Sequence, residues 1–68
     1  MNFYISAIDD NYKKVYLDEL SLKNFPRFSS DSEIYLFHKL KAVRIFIRKF
    51  AKFFPTKVQV SFKICVER

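Results

Sequence analysis

Few side chains in this 68-residue chain could carry out chemistry: one histidine (His38), one cysteine (Cys65) and two acidic pairs, Asp9-Asp10 and Asp18-Glu19. A nucleophile–base pair of Cys65 and His38 needs a third group to orient the base, and the sequence offers none. Cys65 reads instead as a small side chain on an outer sheet face, and His38 as a residue that helps start a helix. A single histidine and a single cysteine cannot build a zinc site without carboxylates or a second chain. One cysteine also excludes an internal disulfide and a C-x-x-C pair. The acidic pairs read as the solvated ends of a hairpin and a strand, well short of the oxygen shell that a hard cation takes. The chain has no glycine, which removes the P-loop, the dinucleotide fingerprint and the nucleophile elbow, since each needs a glycine backbone. So small a core can hardly enclose a pocket. The expectation is a non-enzyme with no metal, no cofactor and no small-molecule substrate.

What remains is charge. The formal net charge is +6, unevenly spread: residues 1–33 hold four basic and six acidic side chains, residues 34–68 nine basic and one acidic. The second half therefore favours partners that carry negative charge. Between Lys39 and Lys57 stand seven cations and no carboxylate. Lys41, Arg44, Arg48 and Lys52 recur at spacings of three, four and four, a stripe of roughly 15 Å at the helical rise. Lys49 and Lys57 complete the candidate set. No acidic neighbour one turn away neutralises the stripe, a small cost that a merely solvated face avoids by mixing signs. The helix dipole rewards only the last turn, Lys49 and Lys52.

Two readings of these residues stand side by side. One is a soluble outer face in a lysine-rich protein. The other is a binding stripe for nucleic acid, a nucleic-acid–protein complex or an acidic protein surface. Base-specific reading is not expected, because this helix has no Asn or Gln. Tyr4, Tyr12, Tyr16 and Tyr35 are the aromatics that could stack on single-stranded bases. The outer sheet face (Tyr4, Tyr16, Gln59, Ser61, Lys63 and Cys65) or an exposed strand edge could dock a protein. A homodimer would relieve the shortage of core in so short a chain.

The elements that must position these residues follow from periodicity. Half the residues are apolar, with nine Phe and four Tyr, enough for one domain over residues 1–68. Asn2–Ile8 reads as a strand with bulky groups on both faces, hence central. Asp9 to Tyr12 supply a turn, and Lys13–Asp18 a second strand. Glu19–Ser29 reads as a loop that tucks Leu20, Leu22, Phe25 and Phe28 onto the core. Ser30-Asp31-Ser32-Glu33 has capping-box spacing, which predicts a short capped turn at Asp31–Leu36 and a break near His38. The main helix then runs from Lys39 to Phe53. It gathers Val43, Phe46, Ile47, Phe50, Phe53 and Phe54 on one face, opposite the cations, and Pro55 closes it. From Lys57 to Arg68 the residues alternate strictly, with Val58, Val60, Phe62, Ile64 and Val66 on one side, which predicts a half-buried strand. The fold class is α+β: a β-β-α-β chain whose three-stranded, mainly antiparallel sheet (order 2-1-3) carries one amphipathic helix on one face.

No stretch approaches the roughly 18 apolar residues of a membrane span. Met1-Asn2-Phe3-Tyr4 lacks the basic start and apolar run of a secretory signal, so a cytoplasmic location is expected. Phe46, Phe50, Phe53 and Phe54 opposite cations is also an interfacial pattern, but the strands need that apolar face as a lid, which disfavours a membrane.

The chain resembles a loose class of very small phage and prophage proteins of β-β-α-β layout. The likeness rests on an aromatic-rich first strand (Phe3-Tyr4-Ile5) and a hairpin partner ending in Tyr16-Leu17. It continues with Phe37 followed five residues later by Ala42 in the first helical turn, and a closing alternating strand (Val58 to Val66). Helices in that class are often acidic, whereas this one is basic. The resemblance implies the fold and a viral or mobile-element setting, hence a host cytoplasm, and no activity; an accessory protein that binds and inhibits an acidic host protein is the alternative expectation for the basic face. Most members have no assigned function.

Overall fold

Two strands joined by a tight turn open the fold, which a computed structural model describes for residues 1–18, 26–30 and 33–67. Strand β1 (Asn2–Ile8) pairs antiparallel with β2 (Lys14–Leu17), Ser6 opposite Tyr16 and Ile8 opposite Lys14. Asp9 builds the turn. Its Oδ1 accepts the amides of Asn11 and Lys13, both at 2.9 Å, and its carbonyl accepts the Tyr12 amide at 3.0 Å. Tyr12 sits at φ 60, a left-handed conformation that costs a non-glycine residue roughly 1–2 kcal/mol. Alternation sends Ile5, Ala7, Val15 and Leu17 into the core, and Tyr4, Ser6, Lys14 and Tyr16 to the other side.

The sheet has four antiparallel strands in the order β3-β2-β1-β4, not the expected three in the order 2-1-3. The added strand, β3 (Phe28–Ser29), pairs with β2 through Leu17–Phe28 and Tyr16–Ser29. Two residues carry no readable period, so the sequence presents them as loop. Leu20, Leu22 and Phe25 lie outside the described residues, as do Asp31 and Ser32 of the expected capped turn. From Glu33 onward the chain is extended rather than helical. Ile34 bridges Asp18, the Tyr35 amide donates to the Leu17 carbonyl at 2.9 Å, and Phe3 and Phe37 exchange both backbone bonds at 2.8 Å. Open backbone groups at the start of β1 and the end of β2 outweigh the local capping signal.

Asp18 is buried instead of solvated, at 2% exposure, with Arg27 Nε 3.4 Å from its Oδ2. Its companion Glu19 is outside the described residues.

The main helix, α1 (Leu40–Phe50), tightens into a 3₁₀ turn at Ala51–Phe53. The tighter turn swings Phe53 out to 49% exposure, and Phe54 in extended conformation takes the core place, at 5%. The expected strand over Lys57–Arg68 is the largest correction. Thr56–Ser61 form a second helix, α2, and only Lys63–Glu67 form strand β4. Val58 and Phe62 are four apart, so they satisfy a strand period and come close to a helical one. The residue between them decides: a strand would face Val60 inward with them, whereas here Val58 is 2% exposed and Val60 78%. Pro55, extended at ψ 149, stands at the N-cap of α2, the neighbourhood where proline costs a helix no internal bond.

Both helices pack on β1 from one side of the sheet. Ile5, Leu17 and Val43 are fully buried there. Phe37 meets Phe46 at 5.5 Å, and Phe54 meets Phe28 at 4.9 Å and Phe62 at 5.4 Å, each ring edge-to-face with its neighbour.

Candidate nucleic-acid interface

Helix α1 forms because Val43, Phe46, Ile47 and Phe50 recur at three- and four-residue spacing and find the sheet to cover them. Its ends owe little to capping: Lys39 makes no side-chain cap bond, and the first turn has no acid, while Arg48 and Lys49 suit the negative end of the dipole. At about 100° per residue, Lys41, Arg44 and Arg48 fall together, opposite Val43 and Phe46, and all three are exposed. Among the described residues none of the three is ion-paired.

The other expected members diverge. Lys49 is exposed at the flank of the stripe. Lys52 lies on the 3₁₀ turn, out of the α-helical register, with its Nζ 5.3 Å from the Phe53 ring. Lys57 is on α2, with its Nζ 5.2 Å from the ring of Tyr12 in the β1–β2 turn. One feature of the stripe went unread: Ile45, 47% exposed, lies one turn from both Lys41 and Lys49, inside the cationic face. The helical wheel already sets it there, since its position falls away from Val43 and Phe46.

On the sheet, Tyr4, Tyr16, Lys63 and Cys65 occupy the outer face, as their register with Ser6 requires. Gln59 and Ser61 do not join them, because both belong to α2. Gln59 Nε2 donates to the Ala51 carbonyl at 2.9 Å, and the Ser61 hydroxyl accepts the Ile8 amide at 3.0 Å while donating to the Lys57 carbonyl at 2.8 Å. Tyr35 turns to the core, edge-on to Phe37 at 4.7 Å. His38 and Cys65 are held by different partners. His38 Nδ1–H donates to Asn2 Oδ1 at 3.1 Å, and Cys65 shares a hydrogen bond with the Ser6 hydroxyl at 3.3 Å. The Tyr4 phenol is pushed above its ordinary value of 10.0, first by loss of solvent and then by the neighbouring Cys65.

No family model matches this chain, and no curated protein and no solved structure matches it either. Among the described residues no helix is long and apolar enough to cross a membrane.

Proposed function

We propose that this protein is a non-enzymatic binding module whose α1 face grips the phosphate backbone of nucleic acid, free or within a nucleic-acid–protein complex. The observation that carries the reading is the exposed, unneutralised row Lys41, Arg44 and Arg48, with Lys49 and Lys52 at its borders. Three cations on a rigid helix, none spent on a described carboxylate, form a fixed pattern of positive charge that a polyanion meets at little ordering cost. The likeness to small phage and prophage proteins supports a host cytoplasm as its setting.

Titration of labelled DNA or RNA in low salt tests this, with the wild type beside a Lys41→Gln, Arg44→Gln, Arg48→Gln, Lys52→Gln variant. Binding by the wild type and loss in the variant is the expected result. No binding, or the same curve for both, removes the reading.

Ile45 favours a second reading, a phage-type inhibitor that docks on an acidic host protein, because a bare phosphate backbone offers an apolar side chain little. An Ile45→Gln change then weakens capture of a host protein from nuclease-treated lysate and leaves oligonucleotide binding intact.

A further inference from the structure

The sheet face turned away from the helices carries an arrangement of its own, and no described element lies over it. Tyr4 of β1 and Tyr16 of β2 are neighbours there, partly exposed, with ring centroids 5.8 Å apart and planes at 57°. Lys14 Nζ stands 5.9 Å from the Tyr16 ring. Ser6, paired across to Tyr16 on one side and Lys63 on the other, is fully covered and makes the floor. Toward the hairpin turn a concavity of about 300 Å³ opens between Lys14 and Lys63, with Tyr12 and Ser61 at its end. Tyr12 is 79% exposed at its left-handed φ of 60. An exposed aromatic held in a costly backbone conformation gives the core nothing, and outliers of this kind gather at functional positions.

We infer that this face is a second binding surface, distinct from the α1 stripe, and that its ligand is single-stranded nucleic acid. Tyr16, Tyr4 and Tyr12 supply stacking platforms, and Lys14 and Lys63 supply phosphate contacts, with Lys57 of α2 beside the Tyr12 ring at the turn. The chemistry is that of rings interleaved with cations: every base has a flat face to stack, and the backbone between bases carries the charge that lysines neutralise. Only unpaired bases can leave their own stack to use such rings. Charge complementarity disfavours the obvious competitor. A second copy laid on this face would bring Lys14 and Lys63 against like charges, and lysine is depleted from protein–protein interface centres. By strand register two described carboxylates belong to this face: Glu67, at the far end from the turn, where it accepts a 3.1 Å hydrogen bond from Asn2 Nδ2, and Asp18, buried beside Arg27.

The chain has no tryptophan, and three of its four tyrosines are these rings, the fourth being Tyr35 packed on the core, so tyrosine emission reports chiefly on this face. The test is to titrate the protein with a short oligo(dT) and with a duplex of equal length at low salt, following that emission. The single strand is expected to quench it saturably. Tyr16→Leu and the Lys14→Gln, Lys63→Gln double variant each weaken the effect about tenfold, a size in keeping with one lost stacking contact or two lost charge contacts. The double variant changes only exposed residues, so it stays informative should Tyr16→Leu fail to fold by circular dichroism. The Lys41→Gln, Arg44→Gln, Arg48→Gln variant is expected to keep the quenching, which separates this inference from the α1 reading. Absence of quenching, or quenching untouched by both sheet-face variants, overturns it. So does a wild-type dimer in light scattering that Lys14→Glu with Lys63→Glu dissolves, since that gives the face to a second copy.

Discussion

The outer side of α1 and the sheet face turned away from the helices both carry exposed cations, yet they arrange them differently. On α1 the charges are borne by long side chains on a helix, with Ile45 as the apolar residue among them. On the sheet, lysines alternate with tyrosines whose rings are set by strand register. A helical row of cations suits a charged backbone of any sequence. A pleated surface fixes ring spacing and so can add contacts to bases. Two patches of the same sign therefore differ in what they ask of a ligand, and the difference lies in the secondary structure beneath them.

The sharpest way to break this comparison is to remove what both faces share. Phe46, on the buried face of α1, touches Phe37, Phe50 and Phe54. A Phe46→Ala change is expected to cost about 3–5 kcal/mol, a large share of the roughly 3–10 kcal/mol that 0.05–0.15 kcal/mol per residue gives a domain of this size. Urea melts should show a strongly lowered midpoint, with both proposed binding activities weakened together. Next in size, neutralising Lys41, Arg44 and Arg48 should lower duplex affinity at low salt at least tenfold, with the oligo(dT) response of the sheet unchanged.

Tyr12 separates structure from binding within the sheet face. Asparagine tolerates the left-handed region better than a bulky aromatic, so Tyr12→Asn should raise stability by up to about 1 kcal/mol while weakening single-strand quenching. A fall in stability would instead make the Lys57–Tyr12 contact structural.

The smallest effect is in alkali. Tyr4 ionises above its ordinary value in the folded chain, so between the unfolded and folded values the unfolded state has released more protons than the folded one. Stability conferred by this group is then complete below about pH 10 and falls as pH rises further. Absorbance titration should show one tyrosine ionising late, and Cys65→Ser should bring it part of the way back.

Much of the fold was legible where one period acted over enough residues. Asn2–Ile8 reads as a strand from its own alternation, and α1 from Val43, Phe46, Ile47 and Phe50. The rest failed for physical reasons that can be named. β3 is too short to have a period. The capping-box spacing of Ser30 to Glu33 predicts a turn over Asp31–Leu36, yet Ile34, Tyr35 and Phe37 take backbone partners on β1 and β2, which are distant in sequence. Val58 and Phe62 fit two periods at once, so the strand seemed to begin six residues before Lys63. That same error put Gln59 and Ser61 on the sheet face. The cationic row was readable because three- and four-residue spacing survives folding into α1. Lys52 leaves the row because the helix tightens at Ala51, and Lys57, expected at the start of a strand, stands on α2 after Pro55.

The central claim is that α1 presents a row of cations to a polyanion, and the salt dependence of duplex binding measures that row directly. With three to four phosphates neutralised, log affinity should fall against log salt with a slope of about −2.7 to −3.6, and the Lys41, Arg44, Arg48, Lys52 to Gln variant should flatten it toward zero. A slope that is already flat in the wild type, or equally steep in the variant, contradicts the account.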